Sequence, residues 1–324
     1  MKVVITGGAG FIGSNFIQYL QRYNKEAIII NIDKLTYAGD LKNLRESSSY
    51  NYRFYQEDIC NFAVVDAIFE EHKPQYVLNF AAESHVDRSI ESSRVFIETN
   101  VLGTQVLLQA AHKHNVSKFI QISTDEVYGA GIDYSFVESD KVQPGNPYAA
   151  SKAAADLLVL SYHHTYGLPA MITRCTNNFG PYQHKEKLIP MVIDRCLSGQ
   201  QIPIYGDGLQ MRDWIYVEDH CSAVLDTMYN GRIGEIYNIS SNNRVQNIQL
   251  VKKIIKELKL LLPEGDSRKL KLNDSLISYV EDRKGHDRCY SISAQKLIDE
   301  LGWSPTHAFD EALKSTIKWY IENV

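Results

Sequence analysis

A chain of 324 residues is long enough for a large α/β domain and a smaller lobe whose cores need no covalent staples. Its formal charge of −5 and pI near 6.1 exclude a binder of nucleic-acid polymers, which needs a basic stripe to release counterions, but leave room for one charged ligand held by local Arg and Lys. The five cysteines, Cys60, Cys175, Cys196, Cys221 and Cys289, are odd in number, widely spaced and never Cys-x-x-Cys, so they are read as cytosolic thiols, with no disulfide framework and no metal site.

The chain opens directly on Lys2-Val3-Val4-Ile5-Thr6, without a basic-then-apolar leader, and no apolar run nears the ~20 residues of a membrane helix; a cytoplasmic protein is expected. Short β-branched runs then alternate with amphipathic stretches. Val3-Val4-Ile5 precedes 11–23, Ile28-Ile29-Ile30 and Tyr76-Val77-Leu78 precede 95–114, and Phe119-Ile120-Gln121-Ile122 precedes 147–166. This rhythm of βαβ units predicts an α/β fold: a Rossmann-type doubly wound parallel sheet over residues 1–175, with a smaller mixed α/β C-terminal substrate lobe over 176–324. The strand-like Ile236-Tyr237-Asn238-Ile239 is expected to return to the main sheet.

Between the first strand and the first helix, Thr6-Gly7-Gly8-Ala9-Gly10-Phe11-Ile12-Gly13 satisfies two overlapping patterns, Gly8-x-Gly10-x-x-Gly13 and Gly7-x-x-Gly10-x-x-Gly13. Glycines there allow a tight turn, close approach of a pyrophosphate and close packing of helix on strand. Alone they describe only a Gly-rich turn. Asp33, at the end of the second strand and twenty positions after Gly13, adds the acid expected to bind a ribose hydroxyl. A carboxylate there repels a 2′-phosphate, so NAD is favoured over NADP, with Lys34 a residue that softens the choice. Asp58-Ile59 reaches an adenine edge or caps the following helix. Ala81-Ala82-Glu83-Ser84, after the strand at 76–78, is small enough to pass beneath a cofactor.

Tyr148 and Lys152 lie four residues apart, which on a helix puts a phenol and an ammonium on one face. A nearby lysine and a cationic nicotinamide both favour phenolate, making Tyr148 a candidate base for oxidising an alcohol. Among 20 tyrosines, Tyr-x-x-x-Lys also arises by chance. Together with the glycine turn, however, the pair resembles the extended short-chain dehydrogenase/reductase family over nearly the whole chain. That resemblance implies a cofactor set of Gly7, Gly10, Phe11, Ile12, Gly13, Asp33, Lys34, Leu35, Thr36, Asp58, Ile59, Ala81, Ala82, Glu83, Ser84, Thr99, Tyr148, Lys152 and Asn178.

Within that family, Ser123-Thr124-Asp125-Glu126-Val127-Tyr128-Gly129 resembles the hexose-nucleotide 4,6-dehydratases, those acting on dTDP-glucose above all; related 4-epimerases usually carry small or neutral residues where this chain has Asp125-Glu126. An epimerase moves hydride off C4 and back, which needs no carboxylates. A dehydratase must also take the C5 proton and expel the C6 hydroxyl as water, which needs a base beside an acid. The resemblance implies Glu126 as that base, Asp125 as that acid, and Thr124 as a hydrogen-bond partner of the C4 oxygen beside Tyr148. Successive strand residues point to opposite faces, so both carboxylates reach one sugar only if the backbone has left the strand by residue 125.

The same resemblance implies a nucleotide-sugar site of Ser84, Thr124, Asn177, Lys187, Leu188, Pro203, Ile204, Tyr205, Arg212, Asn247, Arg283 and His286, in which Lys187, Arg212 and Arg283 suit a diphosphate. The chain departs from the family pattern at Gln183-His184-Lys185-Glu186, where a Pro often precedes the Glu. His85 is read as structural, and His112/His114 and His163/His164 as helix surface. The expected function is conversion of dTDP-glucose to the 4-keto-6-deoxy sugar with NAD; the alternatives are a dehydratase of a UDP-, CDP- or GDP-sugar, or a 4-epimerase. A non-catalytic dinucleotide sensor is disfavoured by the presence of both Tyr148 and Lys152. The resemblance also implies a homodimer formed through 95–114 and 147–166.

Overall fold

The computed structural model describes residues 1–47, 51–131 and 134–323. Twelve strands run β1 (Lys2–Thr6), β2 (Ile28–Ile32), β3 (Tyr52–Tyr55), β4 (Tyr76–Asn79), β5 (Lys118–Thr124), β6 (Ala170–Cys175), β7 (Asn177–Phe179), β8 (Ile202–Tyr205), β9 (Met211–Tyr216), β10 (Ile236–Ile239), β11 (Arg244–Gln246) and β12 (Ile277–Val280) among the described residues. The α-helices are α1 (Phe11–Tyr23), α2 (Phe62–His72), α3 (Val86–Glu91), α4 (Arg94–Phe96), α5 (Thr104–Lys113), α6 (Pro147–Tyr166), α7 (Leu188–Ser198), α8 (Val217–Asn230), α9 (Asn247–Leu261), α10 (Gln295–Leu301) and α11 (Phe309–Asn323), with a π-helical turn at Ile97–Gly103 between α4 and α5.

Seven strands form one parallel sheet in the order β10-β6-β5-β4-β1-β2-β3. Strands covered on both faces are near-continuous apolar runs, and β1, β2, β5 and β6 are buried over almost their whole length for that reason. On one side, Phe16, Ile17 and Leu20 of α1 and Val224 and Met228 of α8 share a core with Val3, Ile5 and Ile29. A second core joins α2, α5 and α6 to the sheet through Phe69, Leu107, Val159 and Phe119. A third, built wholly from residues after 175, gathers Phe179, Ile193, Trp214, Ile254, Leu258 and Ile317.

The C-terminal half is therefore not one continuous lobe. Besides β10, which pairs in parallel with β6, it gives α8 and α10 residues Leu225 and Leu297 to the core around β1. The helix periodicity of those segments does not say which apolar surface they will cover. Chain direction across the sheet reverses between β1 and β4, the place in such sheets where the carboxyl ends of the strands open a crevice.

Candidate active site

One cavity of about 620 Å³ opens at that reversal and continues into the C-terminal half. All the residues expected to bind cofactor or substrate or to act in catalysis line it, with the exception of Leu35. Leu35 adopts a left-handed φ of 55° behind the wall and donates its backbone N–H to Asp33 Oδ1 at 2.8 Å.

At the cofactor end, Gly7 has φ +67°, and a Cβ there would meet the backbone nitrogen of Ala81 at 2.6 Å, so only glycine lets the first turn lie against the segment after β4. A Cβ on Gly13 would strike the Gly7 carbonyl and come within 2.8 Å of Gly8 Cα. Gly8 itself packs inward, its N–H donating to Asn31 Oδ1 at 3.1 Å. Of the two overlapping motifs, the cavity uses Gly7, Gly10 and Gly13. Asp33 is held by backbone N–H groups on both oxygens, from Ala9 at 2.9 Å and Leu35 at 2.8 Å. Burial pushes its pKa up and those two donors oppose the shift. Lys34 donates to Asp58 Oδ2 at 2.6 Å, so its charge is matched within the protein and it does not stand free for a 2′-phosphate. Asp58 is not the cap of α2; that position is Asn61, while Asp58 Oδ1 accepts the N–H of Cys60 at 2.9 Å. The glycine cradle, the acid at the end of β2 and the buried, unpartnered Asn178 Oδ1 fit a dinucleotide.

In the middle of the cavity, β5 ends at Thr124 and the next four residues, Asp125–Tyr128, turn into a 3₁₀ helix. Thr124 caps it, accepting the N–H of Glu126 at 3.2 Å. The backbone has left strand geometry at position 125, and the Asp125 and Glu126 side chains both line the cavity. Asp125 is buried, Oδ2 has no hydrogen-bond partner, and Oδ1 accepts only the Thr124 hydroxyl at 3.2 Å. Burial, reinforced by the Glu126 charge, raises its pKa to about 8, which favours the protonated carboxylic acid at neutral pH. Glu126 instead accepts a hydrogen bond from Asn146 Nδ2 at 3.1 Å.

Tyr148 and Lys152 project from α6, which Asn146 caps and Pro147 starts. Their electrostatics depart from the sequence expectation. The Lys152 ammonium donates to the Ile122 carbonyl at 2.6 Å, and burial lowers its pKa. Tyr148 is pushed well above the ordinary tyrosine value by burial, reinforced by Glu126, Cys175 and Asp125, while Thr124 opposes the shift. A cationic nicotinamide bound beside it would oppose the same shift.

Farther along, Lys187 donates to the Ser84 carbonyl at 3.0 Å. Arg212 lies over the Tyr290 ring at 4.5 Å and donates to the Asp287 carbonyl at 2.9 Å. Arg283 reaches Asp87 at 3.5 Å with its Nε unpartnered, and Asn247 Oδ1 and Trp214 Nε1 are likewise buried without partners. His286 Nδ1 donates to Asp282 Oδ1 at 2.6 Å, with its ring edge-on to Tyr205.

Several lining residues escaped sequence reasoning. Glu186, noticed only as part of a divergent loop, has both carboxylate oxygens buried without a hydrogen bond, and four cationic or ionisable groups surround it: His85 and His184 at 3.6 Å, Lys187 at 3.7 Å and Arg88 at 3.8 Å. Tyr290 follows the last motif read, and no spacing signals it. His85 also caps α3, accepting the N–H of Arg88. One surface assignment is corrected: the His114 side chain is only 8% exposed and meets Asp66 of α2 at 2.8 Å, while the partly buried His163 bonds the Leu168 carbonyl at 2.9 Å. Among the described residues no cluster of His, Cys, Asp and Glu is arranged to hold a metal.

The sequence profile of the family described as GDP-mannose 4,6 dehydratase matches residues 4–316. A dTDP-glucose 4,6-dehydratase of Xanthomonas campestris pv. campestris (strain B100) is 46% identical over 331 residues, covering 99% of this chain and 93% of that protein. The chain belongs to the dTDP-glucose 4,6-dehydratase family. The family's structure is shared as closely: a dTDP-glucose 4,6-dehydratase from Streptomyces venezuelae, solved with NAD bound, superposes with a TM-score of 0.93 at 42% identity, covering 100% of this chain and 98% of that one. A UDP-glucose 4-epimerase from Thermotoga maritima, solved with UDP-glucose, also superposes, with a TM-score of 0.88 at 30% identity over 99% of each chain. Fold alone thus does not separate dehydratases from epimerases. The chemistry at positions 125 and 126 is the place to look.

Proposed function

We propose that the protein is an NAD-dependent dTDP-glucose 4,6-dehydratase, a hydro-lyase that converts dTDP-glucose to dTDP-4-keto-6-deoxyglucose and water. The observation that carries this reading is a buried Asp125, one carboxyl oxygen without a partner, beside Glu126, both lining the cavity that Tyr148 enters. Gly7, Gly10, Gly13 and Asp33 would hold NAD, which would supply hydride uptake from C4 and hydride return to C6 with zero net redox. Tyr148 takes the C4 hydroxyl proton, with Thr124 bonded to the same oxygen. The C4 ketone acidifies C5, and Glu126 removes that proton. Asp125 gives its proton to the C6 hydroxyl, which departs as water while the C5–C6 double bond forms; Glu126 then returns its proton to C5 as hydride enters C6, which removes that double bond and gives the 4-keto-6-deoxy sugar. Lys187, Arg212 and Arg283 bind the diphosphate, Asn177 and Ser84 the sugar, and Leu188, Pro203, Ile204, Tyr205, Asn247 and His286 the nucleoside.

Two further assignments belong to this reading. Exposed apolar side chains on the α4-to-α5 run and on α6, Val95, Ile97, Leu102, Leu157 and Tyr166, support a homodimer through these helices. Among the described residues no helix is long and apolar enough to cross a membrane, and the cysteines are free thiols, which supports a cytoplasmic location. The decisive experiment incubates the protein with dTDP-, UDP-, CDP- and GDP-glucose and follows mass. Loss of one water from the dTDP sugar in preference to the others is the expected result. A C4 epimer as sole product would overturn the reading.

A further inference from the structure

We propose that Asn146 is a positioning residue that assigns the base role within the carboxylate pair, by tying Glu126 to the first turn of the helix that carries Tyr148 and Lys152. The proposal rests on the reading of Glu126 as the C5 base.

Asn146 is buried and immediately precedes Pro147. Its Oδ1 accepts the N–H of Ala149 at 2.8 Å, which caps α6. That bond also decides which end of the amide is oxygen, because only the oxygen can accept an N–H. The Nδ2 group is then turned toward Glu126 and donates to Oε2 at 3.1 Å. One short side chain therefore sets both where the helix begins and where the carboxylate sits. The loop that delivers it is pinned to the same 3₁₀ turn, since Gln143 donates its N–H to the Val127 carbonyl at 2.9 Å.

The consequence is an asymmetry between neighbouring carboxyl groups. Glu126 accepts an amide N–H, which fixes where its carboxylate sits. Asp125 has no N–H donor: one oxygen is unpartnered and the other meets only the Thr124 hydroxyl. The charged and titratable groups facing Glu126 are Asp125 on its own turn, Tyr148 on α6, Lys187 ahead of α7, and Tyr290 near the C-terminal half's last strand-like segment, with Arg212 acting on Asp125. Asn146 does not line the cavity, so it acts through Glu126 and not on substrate.

Asn146→Ser and Asn146→Asp separate this role from capping, because Ser and Asp cap helices about as well as Asn while neither brings an amide donor to Glu126. The readouts are thermal midpoint, KM and solvent-deuterium exchange at C5 of dTDP-glucose. Both variants are expected to keep the wild-type midpoint, with KM changed by less than about twofold. C5 exchange should fall about ten- to a hundredfold, the loss of a hydrogen bond to a charged group, and most in Asn146→Asp, whose added carboxylate opposes Glu126. Unchanged exchange would overturn the proposal, as would activity lost only in step with the thermal midpoint. Glu126→Gln keeps the two readings apart. If it exchanges C5 hydrogen at the wild-type rate, Glu126 is not the base; if it is silent while both Asn146 variants behave as wild type, Glu126 stands and Asn146 has no part.

Discussion

At Asp125 a single side chain's environment decides its chemistry. A carboxyl group in water is ionised at neutral pH; burial beside Glu126 raises this one to about 8 and makes it a proton donor. Asp125→Asn preserves shape but cannot give up a proton, so kcat should fall about 10²- to 10⁴-fold while C5 exchange persists, measured by product mass and deuterium incorporation. The same shift has a stability consequence of definite sign. Between about pH 4 and about pH 8 the folded protein retains a proton that the unfolded chain releases, so this group's contribution to stability declines as pH rises through that window. The thermal midpoint of Asp125→Asn should therefore gain on wild type from the low to the high end of it; a constant difference would mean that Asp125 ionises normally. Tyr148 teaches the opposite lesson. Its spacing from Lys152 was legible, but the lysine's bond to the Ile122 carbonyl, 30 positions away in the chain, was not.

Among the elements, the first turn and the end of β5 differ in how much their own sequence dictates. The turn at 7–13 is local: its glycines, the strand before it and the helix after it suffice to place a phosphate cradle. Gly13→Ala would set a methyl group against the Gly7 carbonyl and Gly8 Cα, so NAD affinity should drop at least about tenfold in a fluorescence titration, with far-UV dichroism kept; undiminished affinity would mean that the turn yields more easily than its packing implies. The 3₁₀ turn at Asp125–Tyr128 is a different case. Alternation along β5 would send residues 125 and 126 to opposite faces. What diverts the backbone is a set of partners distant in sequence: the 141–146 loop carrying Gln143 and Asn146, and Tyr128 bonded to Asn238 on β10 at 2.9 Å. Lys34 and Asp58, on neighbouring βα turns, likewise neutralise each other only after the strands have been laid side by side.

For the whole molecule, the proposed dimer belongs at this scale because it concerns surface that no element of the chain covers. Leu157, 58% exposed on α6, has no polar role to explain it. Leu157→Glu should convert a species of twice 36.9 kDa to one of 36.9 kDa in sedimentation equilibrium, whereas a wild-type protein that sediments as a monomer would refute the assembly. By itself, the sequence determined the parallel sheet, the dinucleotide turn, Asp33, the Tyr148/Lys152 face and the pairing of two carboxyls after a strand. These are local: period, turn chemistry and residue type act within a few positions and survive whatever else the chain does. Only the tertiary structure decided that α8 and α10 return to the first core, that Glu186 stands among four cationic or ionisable groups, and that Asp125 is buried with an unpartnered oxygen while Glu126 has an amide donor. Burial and hydrogen-bond partnership are properties of neighbours in space: the amide that meets Glu126 comes from 20 residues away, and the one that holds Tyr128 from 110.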